Sequence, residues 1–306
     1  MDAADVEILG RRLCNWERWG VDDEIGTVNY ISPERTAAAA KLVVSGKVYG
    51  LSIPFDRAGP AIASPRRFNP LHFMIILPDE QVRDIEVGIA DDVLVFPLQS
   101  ATQWDSLAHV THKGQIYGGR PISMVTSAGA AANDVRNFAS RIATRGVLID
   151  VARARGVASL APGEAIEAEE LDQILRATNT SVGEGDALLV RTGHLADCRA
   201  RGWQGFSGDA PGLGMTTLEW MHERGVAAVA TDTYAVEAKP YQVSGHASPF
   251  HVVAIVYMGL LLGEIFDLDA LAEDCAADGR YEFFFVGAGL PVTAAVGTPV
   301  NPYAIK

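Results

Sequence analysis

The sequence predicts a single domain of mixed α/β class, with helices and strands packed in layers. The chain has 306 residues, of which 48% are hydrophobic, so it can bury a large core. Strand-like and helical segments alternate in its second half, whereas the first half is richer in strands. No internal repeat, low-complexity tract or linker divides the sequence. We therefore treat residues 1–306 as one domain.

The helices are predicted from capping signals and composition. Ser32 followed by Pro33 and Glu34 is typical of a helix start, and the alanines that follow extend this helix to Val44. The composition of residues 128–145 also favours a helix, which would end at Gly146. Further helices are predicted over residues 167–177, 216–224, the first part of 250–262, and 268–274.

The strands are predicted where β-branched and other apolar residues run together between turn signals. Such runs cover residues 48–53, 73–77, 93–96, 146–151, 186–191, 226–231 and 282–286, and we expect an extended tail over 296–305. The segment from Thr231 to Glu237 places polar residues directly after a strand, as the binding sites of α/β proteins often do.

Composition excludes several classes of partner. The net charge of −13 argues against nucleic acid and anionic membranes, because both bind clustered lysine and arginine. No apolar run approaches the roughly twenty residues of a membrane span, and the first residues lack the pattern of a signal peptide. The three cysteines form no C-x-x-C pair, which indicates neither a disulfide framework nor a thiolate metal site. We expect a cytoplasmic protein that acts on a small-molecule substrate.

Residues 99–109 form the most informative segment. If the strand 93–96 continues, alternate residues share a face, and Gln99, Gln103 and Asp105 then point the same way while small Ala101 leaves room. His109 follows Asp105 by four positions, so a helical turn would place both on one side. Aligned polar side chains of this kind predict a bound cation or a polar substrate.

A second cluster spans residues 244–251 and contains His246 and His251. Glu264 follows thirteen residues after His251 and interrupts one of the most apolar stretches of the chain. A buried carboxylate is costly unless it is paired or bound to a metal. We favour His251 over His246 as a ligand, because His251 leads directly into the segment that carries Glu264.

These residues also have simpler structural interpretations, which the sequence leaves open. The two glutamines could hydrogen-bond the backbone at a strand edge, and Asp105 could cap the helix that carries His109. His109 itself could be a core histidine with satisfied hydrogen bonds. Glu264 could pair with an arginine such as Arg191 or Arg120.

Segment 99–109 resembles the signature H-x-G-T-H-x-D-x-P-x-H of the putative cyclase family, which includes bacterial kynurenine formamidases and isatin hydrolases. Three positions match the signature: Thr102, Asp105 and His109. Four positions depart from it, with glutamine for histidine at Gln99 and Gln103, alanine for glycine at Ala101, and leucine for proline at Leu107. Residues 19–29, 185–193 and 251–264 are also similar to larger members, so the resemblance covers most of the chain.

The resemblance implies a swivelling β/β/α fold, usually oligomeric, that hydrolyses amide-type bonds with bound Zn²⁺ or Mn²⁺. Carried over to this sequence, it implies an acid/base role for His109 together with Asp105. The metal-ligand candidates that it implies are Asp105, His251 and Glu264, with Gln99 and Gln103 at two ligand positions of the family. We also place Trp104, Tyr117 and His246 beside the substrate, with Trp104 favoured as a packing residue. We expect a homodimer or homotetramer.

The two glutamines bear on the identity of the metal. An amide oxygen is a harder and weaker donor than imidazole, so we favour Mn²⁺ over Zn²⁺. Two alternatives stay open. The site could hold a single ion on Asp105, His251 and Glu264, or it could hold no ion.

The function predicted from the sequence is metal-dependent hydrolysis of a small amide, formamide, cyclic amide or lactone. A metal-activated water would attack, and His109 would carry the proton. Two alternatives stay open. The first is a metal-independent lyase or cyclase on the same scaffold, which would use His109 and Asp105. The second is a small-molecule-binding protein without catalysis.

Overall fold

The computed structural model describes residues 2–63, 66–79 and 87–306. The helices are α1 (Ala3–Arg12), α2 (Pro33–Ala40), α3 (Val151–Ala154), α4 (Ala168–Ala177), α5 (His194–Ala200), α6 (Thr216–Arg224), α7 (Pro249–His251) and α8 (Asp269–Asp278). The strands are β1 (Val48–Gly50), β2 (Leu71–Ile76), β3 (Asp91–Val95), β4 (Gln103–Asp105), β5 (Val125–Thr126), β6 (Gly129–Ala130), β7 (Ala143–Asp150), β8 (Ala165–Ile166), β9 (Ala187–Arg191), β10 (Gly212–Leu213), β11 (Ala228–Thr231), β12 (Leu261–Glu264), β13 (Glu282–Val286), β14 (Gly297–Pro299) and β15 (Tyr303–Ile305).

A nine-stranded mixed sheet organises the molecule, in the order β1-β15-β13-β7-β9-β11-β12-β4-β14. The strands β7, β9, β11 and β12 run parallel to one another, and the pairs on either side of them are antiparallel. The strands β2 and β3 pair only with each other among the described residues. The predicted mixed α/β class is confirmed.

Helices and loops cover both faces of this sheet. Alternate residues of β7 enter different cores: Val147 and Ile149 join the cluster that includes α1, α4 and α6, whereas Leu148 joins the cluster on the opposite face. The strands β9 and β11 are buried almost throughout, as expected for central parallel strands covered on both sides. No helix among the described residues has the length and apolar character that crossing a membrane requires.

Several predicted elements are confirmed. Their sequence signals, such as helix caps and apolar periodicity, lie within the elements themselves. The side chain of Ser32 caps α2 by accepting a hydrogen bond from the backbone N–H of Arg35. The predicted helices over residues 167–177 and 216–224 correspond to α4 and α6, and the predicted strand 282–286 coincides with β13. Residues 250–262 contain a helix followed by a strand, as the sequence predicts.

The predicted helix over residues 128–145 is wrong. This stretch holds β6, a short 3₁₀ turn over Val135–Asn137, and the start of β7. Asn133 adopts a left-handed φ of 62°, which interrupts any helix, and Asp134 caps the 3₁₀ turn instead. The side chain of Asp134 also accepts a hydrogen bond from the backbone N–H of Ala294, so tertiary contacts override a helical composition.

Two further elements of the structure differ from the prediction. Helix α1 was not predicted, although Asp2 and Asp5 form a reciprocal capping box at its start. The strand 93–96 does not continue through residue 105: β3 ends at Val95, the chain turns, and β4 begins at Gln103 in a different sheet. Gln99 therefore lies in the connecting turn and not on the strand that carries Asp105.

Trp104 anchors β4 from the core side of the sheet. Its indole N–H donates to the carbonyl of Gly287 over 2.7 Å, and its ring packs on Phe266 and Phe285. Gly263 lies opposite Trp104 on β12, and a Cβ atom there would lie 2.5 Å from the indole ring. The absence of a side chain at residue 263 thus allows the tryptophan to lie against the strand.

We expect Gly263→Ala to lower the free energy of unfolding by about 1–3 kcal/mol, because the added methyl overlaps a packed ring. Gly50→Ala is the matched control, since Gly50 also lies in a strand and its added Cβ would meet only Tyr303 at 3.9 Å. Chemical denaturation of both variants measures the effect. Equal stabilities of the two variants would contradict this account of the packing.

Candidate active site

Three polar side chains of neighbouring strands point to the same face of the sheet. Gln103 of β4 lies opposite Glu264 of β12, and Asp105 lies opposite Gly297 of β14. Residues that face each other in an antiparallel pair point to the same side, so Gln103, Asp105 and Glu264 converge there. Trp104 points to the other side.

His251 approaches this group from the helical layer. It is the last residue of α7, and the helix continues as a π-helix over Val252–Met258, a form that occurs frequently at functional sites. The Nδ1 atom of His251 lies 2.5 Å from Oε1 of Glu237, and its Nε2 atom lies 3.3 Å from Oε1 of Glu264. The imidazole therefore bridges two buried carboxylates.

The geometry brings Asp105, His251 and Glu264 together. Each is buried and offers one ligand atom, and these three atoms all lie within 4.8 Å of one another. The Oδ2 atom of Asp105 is buried and accepts no hydrogen bond. Burial raises the pKa of Asp105, and the negative charge of Glu264 adds to this effect, whereas the nearby imidazoles of His109 and His251 oppose it.

The charge state of His251 depends on its two partners. Burial by itself lowers the pKa of His251, but its hydrogen bonds to Glu237 and Glu264 outweigh burial and raise the pKa well above its usual value. The backbone N–H groups of Phe250 and His251 also donate to the carboxylate of Glu237. Glu237 thus fixes the imidazole from behind, with Nε2 directed at Glu264.

His109 borders the cluster on its accessible side. Its Nε2 atom lies 3.7 Å from Oδ1 of Asp105, and 22% of its side chain is exposed, whereas Asp105 is fully buried. The turn that carries it closes with a hydrogen bond from the His109 N–H to the carbonyl of Ser106. The hydroxyl of Ser106, not the carboxylate of Asp105, accepts from the N–H of Ala108, so Asp105 stays free for the cluster.

The two glutamines occupy different positions. The Nε2 atom of Gln103 donates to Oε2 of Glu264 over 2.7 Å and lies 3.4 Å from Oδ1 of Asp105, while its buried Oε1 has no partner. Gln99 reaches the same region from the turn before β4. A Cβ atom at Gly297 would lie 2.3 Å from Nε2 of Gln99, so this amide fills the space beside the residue that faces Asp105.

The cluster fits a divalent cation that accepts oxygen ligands. Two carboxylates and one imidazole supply three donors, whereas the amide of Gln103 directs its Nε2 at Glu264 and would offer its oxygen only in the flipped orientation. A metal-binding histidine commonly donates its other ring nitrogen to a carboxylate, which is the arrangement of His251 with Glu237. The Oδ2 atom of Asp105, which is buried and accepts no hydrogen bond, is the strongest single sign that the cluster suits a cation.

Comparison with known proteins assigns the family. The model of the putative cyclase family matches residues 49–238. This chain belongs to the cyclase family. A solved structure described as a novel cyclase is 37% identical, covers 96% of this chain and 99% of its own, and superposes with a TM-score of 0.87. The comparison with curated proteins gives no match.

Solved structures of lower sequence identity that share this fold include hydrolases. An isatin hydrolase bound to the product analogue thioisatinate is 15% identical with a TM-score of 0.60, and isatin hydrolase A from Ralstonia solanacearum is 17% identical with a TM-score of 0.61. Each covers 84% of this chain and 91% of its own. A structure described as a potential metal-dependent hydrolase with cyclase activity is 14% identical, covers 84% of this chain and 98% of its own, and gives a TM-score of 0.51.

Three residues that the sequence placed beside the substrate lie outside the cluster. Trp104 is fully buried on the opposite face of the sheet, which agrees with the packing role favoured for it and not with a substrate contact. The hydroxyl of Tyr117 donates to Asp23 over 2.8 Å within a buried contact. The ring of His246 lies 5.9 Å from that of His112 near the surface, so His251, not His246, joins Asp105 and Glu264.

The arginine partners considered for Glu264 are occupied elsewhere. Arg191 pairs with Asp150 and Asp269, and Arg120 hydrogen-bonds the carbonyl of Tyr117. Glu264 therefore depends on Gln103 and His251 for its hydrogen bonds.

Two residues near the site were missed as candidates. Glu237 ends the polar segment after β11, and that strand-end position was the available signal. Arg67 donates to the carbonyl of Gln99 over 3.1 Å, lies 5.3 Å above the ring of Tyr234, and adds a positive field at Asp105. Nothing in the sequence around Arg67 indicates this placement, because it depends on the path of the chain before β2.

We expect Gln103→Leu to lower the free energy of unfolding by about 1–3 kcal/mol in the presence of a chelator, because the buried Oε2 of Glu264 loses its hydrogen-bond donor. Gln99→Leu, which changes the other motif glutamine, should have a smaller effect. Denaturant titrations of both variants measure this. An undiminished stability for Gln103→Leu would show that Glu264 does not depend on this amide.

Proposed function

We propose that this chain is a metal-dependent hydrolase that acts on a small molecule with an amide, formamide, cyclic amide or lactone carbonyl. The observation that carries the proposal is the buried group of Asp105, His251 and Glu264, with one carboxylate oxygen left without a partner. Membership of the cyclase family and the likeness in fold to isatin hydrolases support the reaction class.

Asp105, His251 and Glu264 would hold the ion, with the amide oxygens of Gln103 and Gln99 as further candidates. A divalent cation in this position would supply Lewis acidity, which polarises a carbonyl. It would also lower the pKa of water, so that water loses a proton more readily and becomes a better nucleophile. Because the donors are mainly oxygens, we favour Mn²⁺ over Zn²⁺. Glu237 holds the Nδ1–H of His251, which leaves Nε2 directed at the group.

His109 is the proton carrier in this proposal. An imidazole can both accept and donate a proton through its ring nitrogens, and this side chain is the partly exposed member of the cluster. It takes a proton from the attacking water while the new carbon–oxygen bond forms. It then returns the proton to the leaving nitrogen, or to the leaving oxygen of a lactone, as the old bond breaks. Asp105 stabilises the imidazolium between these two transfers.

One observation favours a second candidate function. The Nε2 atom of Gln103 already donates to Glu264 and lies near Asp105, which is where a metal-free site would need a positive dipole. A lyase or cyclase that uses His109 and Asp105 without an ion is consistent with that contact. The metal content of the protein separates the two candidates.

We expect protein purified without added metal to retain about one divalent ion per chain, measured by elemental analysis. Glu237→Gln should weaken Mn²⁺ binding about 10–100-fold in calorimetric titration, because the ring of His251 loses the carboxylate that orients it. Glu223→Gln changes an exposed glutamate on α6 and serves as the control. If the wild-type protein neither retains nor binds a divalent ion, the metal-dependent hydrolase is contradicted and the metal-independent lyase or cyclase is favoured.

We expect His109→Asn to lower kcat by about 10²–10⁴-fold while Mn²⁺ binding stays unchanged, because the proton carrier is lost and the ligands are kept. Suitable substrates for the screen are aryl formamides, isatin-like lactams and lactones, each assayed with and without a chelator. His222→Asn, on α6 beside Asn15, is the control. A folded His109→Asn variant with a loss below about tenfold would remove His109 from this role.

A further inference from the structure

The side-chain amide of Gln103 lies between the two carboxylates of the candidate site. Its Nε2 atom donates to Oε2 of Glu264 over 2.7 Å and lies 3.4 Å from Oδ1 of Asp105. The two hydrogens on this nitrogen are the positive end of the amide dipole. Gln103 therefore supplies part of the positive potential that two buried carboxylates require.

Without a cation, only this orientation of the amide suits its surroundings. Rotation of the terminal group by half a turn would exchange Nε2 with Oε1 and bring a carbonyl oxygen against the carboxylate oxygens of Asp105 and Glu264, where acceptors repel one another. The terminal torsion of glutamine is soft, so the charge around the amide decides its orientation. The orientation has a cost, because the buried Oε1 has no hydrogen-bond partner among the residues that the structure describes. The negative charge of the two carboxylates outweighs that cost.

The backbone of Gln103 is fixed on both sides, so only its side chain can respond to a change of charge. Residue 103 pairs with Glu264 of β12 and with Pro299 of β14. The neighbouring Trp104 is anchored to Gly287 on the opposite face of the sheet. Gln103 is itself fully buried. An exchange of the amide nitrogen and oxygen needs almost no extra space, whereas movement of the whole residue would break the sheet.

We propose that the amide of Gln103 competes with a divalent ion for the carboxylates of Asp105 and Glu264. This inference rests on the proposed metal-dependent function and concerns the regulation of that same site. A cation bound by these carboxylates repels the N–H end of the amide dipole, so ion binding requires the amide to rotate and to give up its hydrogen bond to Glu264. Gln103 therefore stabilises the site when no ion is bound and lowers its affinity for the ion.

The loss and the gain on rotation of the amide are unequal. The hydrogen bond that Gln103 gives up has a charged acceptor, and such bonds are about twice as strong as bonds between neutral groups. The amide offers in return a neutral oxygen, which is a weaker ligand than the histidine that the family signature has at this position. The balance therefore disfavours the ion. A hydrogen bond to a charged group corresponds to about a 10–100-fold change in an equilibrium constant.

A site with this donor stays assembled when it loses its ion. Gln103 and the imidazole of His251 both contact the carboxylate of Glu264, so loss of the ion does not leave that carboxylate without a partner. A donor that stabilises only the ion-free protein raises the dissociation constant of the ion by the same factor. The concentration of the free ion can therefore switch the site on and off while the chain stays folded.

Calorimetric titration of the full chain with Mn²⁺, after a chelator has removed any bound metal, tests this competition. We expect Gln103→Leu to lower the dissociation constant by about 10–100-fold, because the competing donor is gone while the three ligand candidates remain. Thr298→Val is the matched control. Thr298 is equally buried, lies opposite Trp104 on β14, and donates its hydroxyl to the carbonyl of Leu290. This variant also loses a buried hydrogen bond, but on the other face of the sheet, and should bind Mn²⁺ as the wild type does.

Nitrogen-15 NMR of wild-type protein labelled at its glutamine side chains provides a measurement that does not depend on how the variant folds. In the presence of a chelator, the Nε2 protons of Gln103 should show the downfield shift that a carboxylate acceptor causes. They should lose this shift when Zn²⁺, which is diamagnetic, is added. The exposed amide of Gln173 on α4, which bonds to Glu169, should not respond.

The outcomes separate this inference from the proposed function. An unchanged or higher dissociation constant for Gln103→Leu would overturn the competition but not the metal-dependent function. Signals of the Gln103 amide that do not change when an ion binds would do the same. If the wild-type chain binds no divalent ion, both the metal-dependent function and the competition are overturned.

Discussion

The antiparallel pairing of β4 with β12 is the constraint on which the candidate site depends. Its register places Gln103 opposite Glu264, and a slip of one residue would turn Asp105 toward the core and Trp104 toward the site. The indole of Trp104 holds this register through its hydrogen bond to Gly287 and its fit against Gly263. Packing on one face of the sheet therefore fixes the chemistry on the other.

The electrostatics of the cluster follow from burial. Asp105, Glu237 and Glu264 are buried around one imidazole, and carboxylates removed from water need compensating charge or hydrogen bonds. His251 supplies part of that compensation, because its two carboxylate partners favour the protonated ring. A cation would supply it more fully, and it would then compete with the proton on Nε2. If the site binds an ion as proposed, binding would release this proton.

The sequence predicts the elements of this fold best where the signal is local. The cap at Ser32 and the alternating apolar pattern of β13 are such signals, and both are confirmed. The helix expected over residues 128–145 fails because Asn133 and Asp134 make contacts with distant segments that composition does not reveal. The prediction of a mixed α/β class rests on many helices and strands, so one wrongly predicted helix does not change it.

Prediction of the site had a comparable limit. Glu264 stands out because it interrupts an apolar stretch, whereas Asp105 and His251 are predicted from residue spacing and from the family resemblance. The structure brings the three residues together. Their assignment as metal ligands, and that of His109 as proton carrier, stay predictions. The role of Glu237 could be suspected only from its place after β11, whereas that of Arg67 depends on a loop path that no local pattern encodes. The expected alignment of Gln99 with Asp105 assumed an unbroken strand. It is wrong because the chain turns before β4, and Gln99 lies in that turn.

The π-helix after His251 sets how far the chain advances between His251 and Glu264. A π-turn accommodates one more residue than an α-turn, so the helix advances less per residue before the chain enters β12. If this segment lost one residue, β12 would either shift in register or present Glu264 to the opposite side. The number of residues between His251 and Glu264 is therefore constrained in addition to the side chains of residues 252–258, which are all buried in the core.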